Sequence, residues 1–295
     1  MRIAFNEVSG NKWKSILLMS LFIIILGLLG AVIGLFYNNT YFGVSIAVII
    51  SLVYTLVAYY SGDKMILGMS GAKPVTKAEY PYLYHTIEGL AIAAGMPAPK
   101  AYVIDDSAMN AFATGRDPKH ASITVTTGLL KVMNRQELEG VIAHEMSHIQ
   151  KYDVRFMMLT AVLVGLVTLL SDFLLRSFLY SKRDKKSGQV GILLIVAGLI
   201  LAVLAPLIGE LIKLAISRRR EFMADANGTI LTRYPKGLAD ALRKISKDPD
   251  PLVDKANKAT AHLFISSPFR KSGGVANLFS THPPIEERIK RLEEM

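Results

Sequence analysis

Apolar positions along this chain fall into long unbroken runs separated by mixed segments. Residues 15–36 and 41–60 contain no charged side chain, and each is long enough to cross a hydrocarbon layer of about 30 Å as a helix. The uncharged turn "YNNT" (37–40) joins them into a hairpin. Residues 190–209 form a third long run, and 156–171 a shorter one that ends near Asp172 and Arg176. The pattern predicts an integral membrane protein with about four transmembrane helices. Gly30 and Gly34 have the small-xxx-small spacing that lets helices approach closely, expected here to serve packing within one chain.

Between and after these runs the pattern becomes amphipathic. "AEYPYLYHTIEGLAIAAG" (78–95) reads as a helix stopped by Gly95. "KAYVID" (100–105), "NAFAT" (110–114) and "ASITVTTG" (121–128) are short β-prone stretches bounded by polar or glycine-containing turns. At "NRQE", Asn134 is placed to cap a helix and Glu137 to complete a capping box; that helix is predicted to run to about Tyr152. Helical stretches are expected at 221–233 and 236–247, and another after "THPP" (281–284). The fold class is therefore mainly α, with a small β-sheet in its soluble part. Four segments follow: a membrane hairpin (1–60), a soluble part (61–154), a second membrane or re-entrant pair (155–216) and a second soluble part (217–295).

Composition narrows the chemistry. Hydrophobic residues make up 51% of the 295, above ordinary globular usage. The formal net charge of +10 raises the question of nucleic acid, but Lys12, Lys14, Arg218, Arg219 and Arg220 flank the apolar runs, where anionic lipid is the expected partner. No nucleic-acid partner is predicted. The cationic flank before the first run and the absence of basic residues from the turn put both ends of the hairpin, and both soluble parts, in the cytoplasm. The basic loop "SKRDKKSGQ" (181–189) runs against this rule and leaves open whether the last two runs cross fully. There is no cysteine, so any bound metal must be held by His, Asp or Glu.

"VIAHEMSHIQ" (141–150) is the stretch with metal chemistry. Four residues apart on a helix, His144 and His148 project from one face and can close on a single Zn²⁺. Glu145, rotated by one residue, is placed to hold a water and take its proton. A catalytic zinc needs a third ligand, and Glu221 in "RRREFMADANG" is the candidate. Asp225, four residues on, could accept the second ring N–H of a ligand histidine and fix its tautomer. One zinc per chain is the cofactor expected.

Together "HEMSH", "SRRREFMADANG", "NAFATG" and "STHPPIEERI" resemble the HtpX-type membrane zinc metalloproteases, relatives of the CAAX prenyl endoproteases. The resemblance covers nearly the whole chain. It implies a gluzincin-like α+β protease domain on membrane helices, acting on misfolded or damaged membrane proteins, and on some cytoplasmic ones, in quality control and the stress response; with the cytoplasmic side given by the charge pattern, the site is expected at the inner face of the cell membrane. It also implies that Asn110, Ala111, Phe112 and Ala113 form an edge strand that pairs with substrate, and that His282 and Arg288 lie near the scissile carbonyl. From the residues alone these are a short buried strand, a loop histidine and a solvated helix charge. The competing readings are a membrane metal transporter, which would want polar residues at mid-membrane, and a metal-binding scaffold without proteolysis. Oligomeric state is left open by the sequence.

Overall fold

The computed structural model describes residues 2–170, 176, 218–249, 260–266 and 283–295. The apolar run at 190–209, the basic loop at 181–189 and His282 lie outside the described residues. Helices α1 (Arg2–Phe36) and α2 (Thr40–Met69) form the expected hairpin, and the side chain of Asn39 caps α2 by accepting from the Phe42 N–H. Gly30 is in the tightest part of the crossing. A Cβ there would fall 2.6 Å from the Gly43 carbonyl oxygen, so the small residues of α1 do pack within the chain. Along α2, Ile46, Ile49, Ile50, Val53, Leu56 and Val57 remain exposed, an apolar face suited to lipid. The helix then continues beyond the uncharged run, and Ile66 and Leu67 enter the core under the sheet.

Three described helices are long and apolar enough to cross a membrane. The third begins as α6 (Asp153–Leu159), passes through a π-helical turn at Thr160–Val164 and extends to Leu170. Unlike α2 it is mostly buried, because it packs against both α1 and α2.

The soluble part has a four-stranded sheet in the order β1-β2-β4-β3, formed by β1 (Lys73–Pro74), β2 (Lys100–Ile104), β3 (Ala111–Gly115) and β4 (Ala121–Thr126). β2 and β4 run parallel, whereas β3 is antiparallel to β4 and ends the sheet. Helix α3 (Pro81–Ala94) crosses between β1 and β2 and stops at Gly95, whose φ of 63° is the left-handed cap that glycine tolerates. After β4, Thr126 caps the short α4 (Thr127–Val132).

Helix α5 (Arg135–Gln150) carries the HEMSH stretch, and both halves of its capping box form between Asn134 and Glu137. Around it pack α7 (Arg218–Thr232), α8 (Pro235–Ser246) and, beyond α8, α9 (Ile285–Glu293). Gly140 sets the α5–α8 approach: a Cβ would fall 2.6 Å from the Leu238 backbone nitrogen. Gly140→Ala is therefore expected to destabilise the protein by about 1–3 kcal/mol through overpacking, despite the better helix propensity of alanine. Thermal melting in detergent measures this, and an unchanged midpoint would show that the two helices can separate freely.

Candidate metal centre

Helix α5 is buried along most of its length, so its polar residues must find partners inside the protein. His144 and His148, one turn apart, turn their Nε2 atoms toward each other at 3.2 Å. Glu221 arrives from the first turn of α7, with carboxylate oxygens 3.8 Å from His144 Nε2 and 3.5 Å from His148 Nε2. The ligand atoms of all three residues lie within 4.8 Å of one another. Two metal–nitrogen bonds of about 2.05 Å at a tetrahedral angle span roughly 3.3 Å, so the two imidazoles are spaced to share a divalent ion, with Glu221 slightly farther off as the third donor. The α5–α7 packing that brings Glu221 here depends on Gly228, where a Cβ would be 3.1 Å from the His144 backbone nitrogen.

Each histidine is held from behind by a carboxylate. Asp225, one turn beyond Glu221, accepts from His144 Nδ1 at 2.9 Å. Asp153 accepts from His148 Nδ1 at 3.0 Å. In both contacts Nδ1 faces the carboxylate and Nε2 faces the cluster, the orientation in which a carboxylate supports a ligand histidine. Asp225 is itself gripped by Arg288, which donates from Nε and Nη2 at 2.9 and 2.7 Å. Fully buried, Arg288 also donates to the Ile265 carbonyl and stands 3.7 Å from Glu221. It is therefore no solvated helix charge.

Burial and pairing separate the ionisation of these groups. Burial lowers His144 to about 4 against the pull of Asp225. For His148 burial acts in the same sense, but the Asp153 hydrogen bond and the charge of Glu221 outweigh it and raise the ring to about 9. Burial raises Glu145 to about 7, with Glu221 adding to the rise and His148 opposing it. Burial would also raise Asp225, yet Arg288 and the His144 hydrogen bond hold it at about 2.

Glu145 is 2% exposed and accepts from the Ala113 backbone N–H, which ties the helix to β3. Both backbone groups of Ala111 on the same edge of β3 are occupied too. Asn110 Oδ1 accepts from the Ala111 N–H, and the Ala111 carbonyl accepts from the Ile265 N–H at 2.9 Å. Phe264 forms an antiparallel bridge with Phe112, and Asn110 Nδ2 donates to the Ser266 carbonyl. β3 is thus an edge strand of the sheet, and residues 264–266 of the same chain cover part of its edge.

The sequence does not single out Asp153 or its partner Asn11, and Arg220, expected there to flank lipid, faces Asp153 at 3.4 Å. Continued helix from His148 would turn Asp153 about 140° away from the ligand face. Instead α5 ends at Gln150, and Tyr152, with φ of 60°, reverses the chain so that Asp153 swings back beside His148. Tyrosine is not a residue that announces this conformation.

The sequence profile of Peptidase family M48 matches residues 77–295. A protein named Protease HtpX homolog from Dictyoglomus thermophilum is 49% identical over 293 residues, 99% of this chain and 94% of that protein. Its namesake from Caldanaerobacter subterraneus subsp. tengcongensis is 46% identical over 298 residues, covering 100% and 98%. One from Streptococcus gordonii is 42% identical over 298 residues and covers 99% of each. Among solved structures, S. mikatae Ste24p aligns with a TM-score of 0.53 at 22% identity, covering 95% of this chain. The chain spans 66% of that protein, just under two thirds, and the likeness is one of fold. Membership of a peptidase family sets aside the transporter and inactive-scaffold readings. With its membrane helices, its cluster of metal-ligating side chains and these full-length relatives, the chain belongs to peptidase family M48, among the HtpX-type membrane metalloproteases.

Proposed function

We propose that this protease is a zinc endopeptidase of the cell membrane, with its active site on the cytoplasmic side, that cleaves misfolded or damaged membrane proteins. The observation that carries this reading is the convergence of His144, His148 and Glu221 beside Glu145, at the foot of the membrane helices. Two imidazoles and one carboxylate suit a catalytic zinc with a position left for water. Zinc, when bound, supplies the Lewis acidity that makes water a competent nucleophile near neutral pH. Glu145 takes the proton of the attacking water and passes it to the leaving amine. Asp225 keeps the His144 ring in the right tautomer. Arg288 holds Asp225 and keeps a fixed positive charge near Glu221, and His282 donates to the developing oxyanion.

An extended substrate lies along Asn110, Ala111, Phe112 and Ala113, gripped through its main chain, which makes few demands on sequence. The cytoplasmic orientation is supported by the basic residues at the site's end of the membrane helices. Lys14, Lys151, Arg219 and Arg220 surround one cavity there, and Lys12 stacks on the Tyr152 ring at 4.5 Å. Purified in detergent, the protein is expected to cleave an unfolded substrate such as casein. A strong chelator should abolish the cleavage and stoichiometric zinc restore it. Undiminished cleavage by metal-free protein would overturn the reading.

A further inference from the structure

Asp153 has a simple alternative explanation: it is the first residue of α6, where a carboxylate favours the helix dipole. A carboxylate serving only that purpose would sit in solvent. Asp153 is 4% exposed, and both of its oxygens are engaged. Oδ2 accepts from His148 Nδ1. Oδ1 accepts from Asn11 Nδ2 at 2.6 Å and faces Arg220 Nη1 at 3.4 Å. Asn11 is 3% exposed and belongs to α1, one turn before the uncharged run begins. Its amide nitrogen also donates to the Lys151 carbonyl at 2.9 Å, so its two N–H groups span the left-handed Tyr152 turn. The arrangement parallels the other histidine: Arg288 backs Asp225 behind His144, and Arg220, next to Glu221 on α7, backs Asp153 behind His148.

We infer that Asp153 is the positioning residue for His148 and that Asn11, from the first membrane helix, holds Asp153 in place. The membrane hairpin is then a working part of the metal centre as well as its anchor. Asn11 does not touch the ion; it acts by pinning the turn that returns Asp153 to the ligand. This inference rests on the reading of His148 as a metal ligand.

The test uses the full chain in detergent, with zinc affinity measured by competition with a chromophoric chelator. Cobalt(II) absorption provides a view of the ligand field that a purely structural role would not alter. Asp153→Asn keeps the shape but removes the charge behind the ring, and should weaken zinc binding about 10–100-fold and change the cobalt bands. Asn11→Ala should weaken binding by about fivefold, the worth of one hydrogen bond. In an Asp153→Ala background the Asn11 change should add less than about twofold, since coupled residues are not additive. Melting of the metal-free variants separates loss of fold from loss of the site. Wild-type zinc affinity and cobalt bands in Asp153→Asn would overturn the positioning role. Independent, multiplying effects would overturn the link through Asn11. His148→Ala tests the underlying reading separately, because stoichiometric tight zinc in that variant would remove His148 from the ligand set.

Discussion

Glu145→Gln is expected to lower kcat by about 10²–10⁴-fold, the usual contribution of a general base, with one zinc still bound per chain. Glutamine keeps the size of the side chain and can still accept the Ala113 N–H, but it cannot take a proton from water. The three candidate ligands are untouched. Stability should move the other way. Burial raises Glu145 from 4.5 to about 7, so in the metal-free protein its ionised form opposes folding increasingly as pH rises through that window. Metal-free Glu145→Gln should therefore melt no lower than the metal-free parent at pH 8. Initial rates on unfolded substrate, elemental analysis and melting check the three parts. Near-normal turnover would remove Glu145 as the base.

Glu221→Ala should act on the ion itself. It removes one of three converging donors while leaving the Arg288–Asp225 pair and the Asp225–His144 contact in place. The loss of zinc affinity should exceed the roughly 10–100-fold typical of a residue that only supports a ligand, and cleavage should disappear with the metal. Elemental analysis after dialysis measures it directly. Full zinc occupancy would exclude Glu221 from the coordination sphere and leave the hydrolytic scheme without its third ligand.

What was legible in the sequence follows from how local each signal is. The capping box at Asn134 and Glu137, the Gly95 stop and the uncharged lengths of α1 and α2 are written in neighbouring residues, and these elements form where expected. The spacings of His144 with His148 and of Glu221 with Asp225 fix which side chains share a helix face, and the structure brings the two faces together. Asn11 and Asp153 meet across 142 positions, through a turn that depends on Tyr152 adopting a conformation unusual for its type. No local pattern encodes that. The same is true of β1, only two residues long, and of residues 264–266 on the edge of β3. The apolar run at 156–171 shows the limit of composition: it marks a helix fit for lipid but not that two other helices would enclose it.

The contact between Ile265 and Ala111 bears on which polypeptides can enter. For a substrate strand bound on β3, as proposed, the Ala111 carbonyl is already taken by a rival belonging to the same molecule. An intramolecular competitor acts at an effective concentration on the order of millimolar. A short peptide with a few main-chain bonds to offer loses that contest. On the proposed docking, a long unfolded chain, able to gain further contacts elsewhere on the enzyme, is expected to win it.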